Sequence, residues 1–290
     1  MKYSFCNLII EIENIPVLKL ENYNLFRTES SDPADIFVQT TAVDQISLPD
    51  LQPVHEEPCV KIYRNDGGEV LRYNTDFWGN PLGLSVSTGR ETTYCYLRDN
   101  YPRNNHSRDN GQRVLTELDL INGIGFEQLL AEKGRFILHS SFIRTKYGAV
   151  LFTAPSGTGK STQAELWRKY RGAEILNGDR TGIWKENGRF LAGGVIWCGT
   201  SGIMENEILP VAAIVVLKQG PVNRISPLRM ISKVGRMMEQ TTINAWNREM
   251  YLKAQEFWMD LCSQVPVLEL TCRPDEGAVQ VLEEELEKYE

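Results

Sequence analysis

Apolar and polar positions alternate along the first third of the chain and then change period. Tyr3-Ser4-Phe5-Cys6-Asn7-Leu8 repeats every two residues, which predicts a first half-buried strand. Val60-Lys61-Ile62-Tyr63-Arg64 and Glu69-Val70-Leu71-Arg72-Tyr73 flank Asn65-Asp66-Gly67-Gly68. That is a hairpin signature, because Asn, Asp and Gly accept the left-handed backbone of a tight turn. A second pair is expected over 83–88 and 92–97, turning at Thr88-Gly89-Arg90. The chain to about residue 97 therefore predicts an antiparallel β domain.

The stretch 98–111, RDNYPRNNHSRDNG, has almost no apolar residue and reads as a loop or linker. It places the expected boundary between a β-rich domain, 1–110, and a second domain, 111–290. In the second domain helical and strand patterns alternate, which predicts an α/β fold. Helix is expected over 125–133, closed by Gly134, then strands over 136–143 and 149–153 joined at Lys146-Tyr147-Gly148. A helix over 161–170 stops at Gly172, followed by a strand over 173–176, a hairpin through Lys185-Glu186-Asn187-Gly188 and a strand over 211–217. The segments 228–240 and 242–261 are amphipathic, with Trp246, Phe257 and Trp258 at roughly helical spacing, suited to core packing or to a homo-oligomer interface. A last strand over 265–270 and an acidic helix over 274–289 complete the expected order.

Composition narrows the class. The 290 residues are 42% hydrophobic and 24% charged, ordinary for a globular protein and long enough for two domains. A net charge of −7 argues against a broad nucleic-acid surface. Six scattered cysteines form no C-x-x-C pair, so neither a zinc site nor a disulfide framework is indicated, and a reducing cytoplasm fits best. The apolar stretch near the N-terminus is too short to span a bilayer and is interrupted by Glu11 and Glu13, so no membrane or export segment is expected.

The chemistry concentrates in Ala154-Pro155-Ser156-Gly157-Thr158-Gly159-Lys160-Ser161, a phosphate-binding loop pattern with Ala154 where the strict form has glycine. Gly157 and Gly159 let the backbone turn N–H groups toward phosphates, Lys160 reaches the outer phosphates, and Ser161 can hold Mg²⁺. The expected strand before the loop and helix after it aim a helix N-terminus at the anion. Turnover also needs a carboxylate, and Asp179 in Asn177-Gly178-Asp179-Arg180, at the end of a short apolar strand, is the candidate metal ligand or base. His139 lies on the strand before the loop strand; a lone histidine beside Phe136, Ile137 and Leu138 is by itself more often a satisfied core residue. The Gly- and hydroxyl-rich stretch 193–202 can approach a phosphate or merely bend, and Cys198 within it lacks a nearby base.

His139, the Ser156–Ser161 run with Thr162 behind it, and Gly178-Asp179 occur in the order seen in the HPr kinase/phosphorylase family. Over about residues 126–228 the chain resembles that family and its wider relatives, P-loop kinases related in fold to phosphoenolpyruvate carboxykinase. The strand at 210–217 followed by Asn223-Arg224-Ile225 is similar to a segment of HPr-kinase-like proteins. The resemblance implies an α/β nucleotide-binding domain behind the N-terminal β-rich one, using ATP (or GTP) with Mg²⁺ to phosphorylate a hydroxyl of a protein, peptide or small molecule. It implies phosphate binding by Ser156, Gly157, Thr158, Gly159, Lys160, Ser161 and Thr162, metal binding by Ser161 and Asp179, and catalysis by Asp179, His139, Lys160 and Arg224. The family's acidic pair is Asp-Asp, where this chain has Gly178-Asp179, and the glutamate-containing signature of true HPr kinases is absent around 197–202. A nucleotide-binding or ATPase module that signals without phosphorylating is the second reading, and a carboxykinase-type enzyme the third. The third would need further metal ligands, and His55 and His106 fall in expected loops.

Overall fold

The computed structural model describes residues 1–14, 23–76, 79–87, 92–98 and 117–289. The expected turn at Thr88-Gly89-Arg90, His106 and all but the first residue of the polar stretch 98–111 lie outside them. Chain contacts divide the protein into two compact units, Met1–Leu129 and Leu130–Glu290. Among the described residues no helix is long and apolar enough to cross a membrane.

The first unit carries β1 (Lys2–Phe5), β2 (Leu8–Glu13), β3 (Ile36–Val43), β4 (His55–Glu57), β5 (Val60–Arg64), β6 (Val70–Thr75), β7 (Pro81–Ser87), β8 (Thr92–Arg98) and α1 (Glu117–Gly123), with α2 (Phe126–Glu132) beginning in it. The strands form one sheet in the order β1-β2-β3-β8-β7-β6-β5-β4. It corrects the antiparallel expectation: β2 and β3 pair parallel, as do β3 and β8, so the sheet is mixed. The alternation at 3–8 is likewise two strands. Cys6 and Asn7 take φ of 50° and 58°, a two-residue turn that pairs Phe5 with Leu8. His55, expected in a loop, sits on β4 opposite Ile62. The strand pairs expected over 60–73 and 83–97 form, as antiparallel β5–β6 and β7–β8.

Burial on most strands of this sheet follows a period of two, broken on β5 and β6, where Ile62-Tyr63 and Tyr73-Asn74 are buried in succession. On β2, Leu8, Ile10 and Ile12 are buried and their neighbours are not; on β8, Cys95 and Leu97 are buried while Tyr94 and Tyr96 are exposed. The buried face is covered by aromatic rings, with Phe5 stacked on Phe26 at 4.8 Å and edge-on to Phe126 at 5.1 Å. Asn74 Nδ2 donates to the Gly123 carbonyl at 2.9 Å, and Arg72 pairs with Glu127 at 2.9 Å, which ties α1 and the start of α2 to this sheet.

The second unit contains β9 (Arg135–Thr145), β10 (Gly148–Thr153), α3 (Lys160–Arg171), β11 (Glu174–Asn177), β12 (Arg180–Glu186), β13 (Arg189–Gly194), β14 (Ile208–Gln219), β15 (Arg224–Pro227), α4 (Met230–Gln240), α5 (Arg248–Gln264), β16 (Val267–Cys272) and α6 (Glu276–Leu286). Its strands follow the order β10-β9-β12-β13-β14-β16-β15, with β11 on β9 and β10 also pairing β14 in parallel. The β10–β14 pairing closes a ring through β9, β12 and β13. Helices cover both faces. Leu151 and Ile214 pack with Met237 of α4 and Trp258 of α5, whereas Val150, Phe152 and Val215 pack with Trp167 of α3 and Leu282 of α6. Doubly covered strands need continuous apolar runs, and five consecutive residues of β10, Ala149–Thr153, are buried. The helix expected from 242 begins instead at Arg248, where the Asn247 side chain caps it, leaving Trp246 ahead of the helix.

Candidate functional site

The apolar run of β10 ends at Thr153, and the chain turns through 154–159 into α3. Gly157 and Gly159 take φ of 77° and 115°, the left-handed side of the map that a side chain resists. A Cβ at either position would meet nothing within 4 Å, so open space faces the loop there. Gly159 caps α3 without any side-chain hydrogen bond, and the first helical N–H groups have no side-chain cap. Both the unpaired N–H groups and the helix dipole favour an anion at this end. At the other end Gly172, φ 65°, returns its N–H to the Arg168 carbonyl, a glycine C-cap.

Lys160 opens α3 and is only 7% exposed. Its Nζ donates to the Ala154 carbonyl at 2.8 Å and the Pro155 carbonyl at 3.3 Å, folding the ammonium onto its own loop. Burial holds its pKa below the usual lysine value, opposed by the Asp179 carboxylate. Ser156, Gly157, Ser161 and Thr162 are exposed, while Thr158 and Gly159 are half-buried. Gln219, last residue of β14, donates to the Gly157 and Thr158 carbonyls at 3.4 and 3.3 Å, bracing the loop from the neighbouring parallel strand. A cavity of about 460 Å³ lies beside the loop, bordered by residues 153–158, the end of β14 and Arg236, Glu239 and Gln240 of α4.

Asp179 follows β11 in a turn built by Asn177. The wholly buried Asn177 side chain accepts from the Asp179 and Arg180 N–H groups at 2.9 and 3.0 Å and donates to the Val195 carbonyl at 2.9 Å. His139 Nδ1 lies 3.0 Å from the Asp179 carbonyl oxygen and 3.3 Å from its Oδ1. Both are acceptors, so the neutral ring carries its proton on Nδ1 and leaves Nε2 as the basic nitrogen. Burial and then the Lys160 charge push the His139 pKa below its ordinary value, so this contact is a hydrogen bond of a neutral imidazole at neutral pH. Arg180 Nε stands 3.4 Å from the other carboxylate oxygen, Oδ2. Thr153 Oγ1, at the end of the loop strand, donates to the His139 carbonyl at 2.9 Å and joins the two halves of the site.

The Gly-rich stretch folds over this carboxylate. Gly199, φ 58°, begins a short 3-10 turn, and a Cβ on it would lie 2.9 Å from the Asp179 Cβ and Cγ. A Cβ on Gly178 would collide with the Ser201 side chain, whose hydroxyl donates to the Cys198 carbonyl at 2.7 Å. Position 178 therefore has no room for a second carboxylate unless that turn moves. Burial pushes the Cys198 thiol up, with the Asp179 charge adding to it, which favours the protonated sulfur.

The structure thus brings His139, Lys160, Asp179 and the loop together. Arg224 stands apart, exposed on edge strand β15 opposite Thr271, with no hydrogen bond or ion pair to those residues. Sequence reasoning did not single out Asn177, Thr153 or Gln219; only Asn177 carried a signal, as the first residue of an Asn-Gly turn.

No protein-family model matches the chain. No curated protein matches it either. Among solved structures the chain is similar to the Hpr(Ser) kinase/phosphatase from Coxiella burnetii, at 16% identity over 53% of this chain and 93% of that one, with a TM-score of 0.28. At that score the likeness carries no argument, and the functional reading rests on the geometry above.

Proposed function

We propose that the second unit is a Mg²⁺-dependent phosphotransferase that moves the γ-phosphoryl group of a nucleoside triphosphate, ATP or GTP, to a hydroxyl acceptor. The observation that carries the reading is the uncapped start of α3 behind two left-handed glycines facing open space, with Lys160 at its first position. Backbone N–H groups of 157–161 would cradle the phosphates, and Lys160 would exchange its two loop carbonyls for phosphate oxygens. Mg²⁺ suits the residues present: the Ser161 hydroxyl and one carboxylate, Asp179, are hard oxygen ligands, and magnesium completes its shell with phosphate and water. The ion neutralises charge on the phosphates when bound.

The transfer balances with one base. The acceptor oxygen bonds to the γ-phosphorus, the bond to the β–γ bridging oxygen breaks, and the acceptor proton passes to the Asp179 carboxylate, leaving a phosphoester and a nucleoside diphosphate. His139 holds the Asp179 backbone carbonyl through Nδ1–H, with the carboxylate 3.3 Å from the same nitrogen, and stays neutral, so it adds no competing charge. Arg180 stands beside the other carboxylate oxygen and favours the ionised, proton-accepting form of Asp179.

A binding module without transfer is the second reading, and the closed space over Gly178 favours it, because base and metal ligand cannot be divided between two carboxylates. Mass spectrometry of mixtures with ATP or GTP, Mg²⁺ and a panel of Ser/Thr peptides and small alcohols separates the two. Acceptor-dependent diphosphate and phosphoester establish the transferase; saturable nucleotide binding without product across the panel leaves the module.

A further inference from the structure

The phosphate loop has two flanks. The strand that leads into it, β10, pairs with β9 on one side and with β14 on the other, and β16 lies beyond β14. Asp179 belongs to the first flank, where its carbonyl accepts from the Ser140 N–H of β9 at 3.0 Å. The cavity of about 460 Å³ belongs to the second. Its border takes in Gln219 of β14, Arg236, Glu239 and Gln240 of α4, and Glu269 of β16, and neither Asp179 nor His139 reaches it. A nucleoside triphosphate laid across the loop with its γ-phosphoryl group toward Asp179 therefore directs its nucleoside into this cavity, whose volume is in the range of small-molecule sites.

Glu269 is unusual for its place in the sheet. Side chains alternate along β16, so Leu268 and Leu270 pack toward α3 and α6 while Val267 packs toward α4 and α5. Glu269 shares the side of Val267 and pairs in register with Val216 of β14, a member of the same apolar cluster. It is half-buried, and among the described residues its carboxylate makes no hydrogen bond or ion pair. A carboxylate partly withdrawn from water is costly without donors, so this one is suited to a ligand that brings them. Arg236 supplies the opposite chemistry on the same border. Its one ion pair among the described residues is to Glu239, three residues on, at 3.3 Å through Nη1.

We propose that this cavity holds the base of the nucleotide and selects guanine over adenine, with Glu269 as the discriminating residue and Arg236 as its counterpart. Guanine presents two adjacent donors, N1–H and the N2 amino group, which the two acceptor oxygens of one carboxylate take together, and its O6 and N7 acceptors suit an arginine. Adenine presents the N1 lone pair beside a single amino group, so one carboxylate oxygen faces a lone pair and goes unpaired. The inference rests on the reading of the loop as a triphosphate site and adds which triphosphate it takes.

The test is equilibrium titration of the natural chain, of Glu269→Gln and of Lys160→Ala with GTP, ITP and ATP in the presence of Mg²⁺. GTP is expected to bind the natural chain at least about tenfold more tightly than ATP, with ITP, which lacks the N2 amino group, between them. Glu269→Gln keeps the shape and turns one acceptor into a donor, so it should weaken GTP about tenfold and change ATP by less than about threefold, with circular dichroism reporting retained fold. Equal affinity for GTP and ATP, tighter binding of ATP, or a full GTP preference in Glu269→Gln overturns the base assignment, and if binding is still lost in Lys160→Ala the loop reading survives it. Absence of binding for all three nucleotides overturns the loop reading and this inference with it.

Discussion

The two sheets solve the same problem differently. On β8 of the first unit, side chains alternate between a buried face and an open one, so Tyr94 and Tyr96 are exposed between buried neighbours. In the second, β10 and the centre of β14 are covered on both faces by α4 and α5 on one side and by α3 and α6 on the other. A doubly covered strand has no polar face along its length, so its chemistry collects at its end. Thr153, the loop and Gln219 all lie at the carboxyl ends of the parallel pair β10 and β14.

The contrast breaks most visibly under charge. Val150→Asp and Leu151→Asp point to opposite faces of β10 and should both abolish folding, costing more than about 4 kcal/mol each through a buried unpaired carboxylate, as seen by loss of the urea transition. Tyr94→Asp on β8 should shift the midpoint by less than about 1 kcal/mol. If the two β10 variants differ as strongly as Tyr94→Asp and Cys95→Asp do, the double covering is wrong.

Buried asparagines sharpen the comparison at a smaller scale. Asn177→Ala removes three hydrogen bonds and orphans two N–H groups and a carbonyl, an expected loss of about 2–4 kcal/mol. Asn74→Ala, which breaks one short bond to Gly123 and two long ones of 3.4 Å to Arg72, should cost about 1–2 kcal/mol in the same denaturation experiment.

At the site, Asp179→Asn should lower phosphoryl transfer by roughly 100-fold or more while nucleotide affinity without Mg²⁺ changes by less than about threefold, measured by product formation and by titration. Equal transfer in the variant would remove Asp179 from the role of base. The smallest effect concerns His139. Its folded pKa is below the ordinary 6.5, so the unfolded chain takes up protons first as pH falls, and stability is lost from about 6.5 downward. Melting temperatures of the natural chain should fall more between pH 7 and 5.5 than those of His139→Asn; parallel curves would show that the imidazole is not held neutral.

Legibility in the sequence followed locality. The loop and its flanking strand and helix were readable because glycine spacing, an apolar run and a helix stop act within twenty residues. The hairpins at 60–75 and 185–189 were readable from turn residues; Asn187 and Gly188 take φ of 49° and 78°. The split of 3–8 into two strands was not, because an alternating pattern continues across a two-residue turn and only the positive φ of Cys6 and Asn7 reveals it. The parallel pairing of β3 with β2 and β8 depends on partners distant in the chain, which alternation does not encode. The approach of Gly199 to Asp179 and of Ser201 to Gly178 is tertiary in the same sense.

The most direct test is equilibrium titration of the natural chain and of Lys160→Ala with ATP and GTP, with and without Mg²⁺. Saturable binding strengthened by Mg²⁺ and weakened at least about 100-fold in Lys160→Ala is the result the account predicts. Absence of binding for both nucleotides, or binding that survives the loss of Lys160 unchanged, would contradict the assignment of the loop and everything built on it.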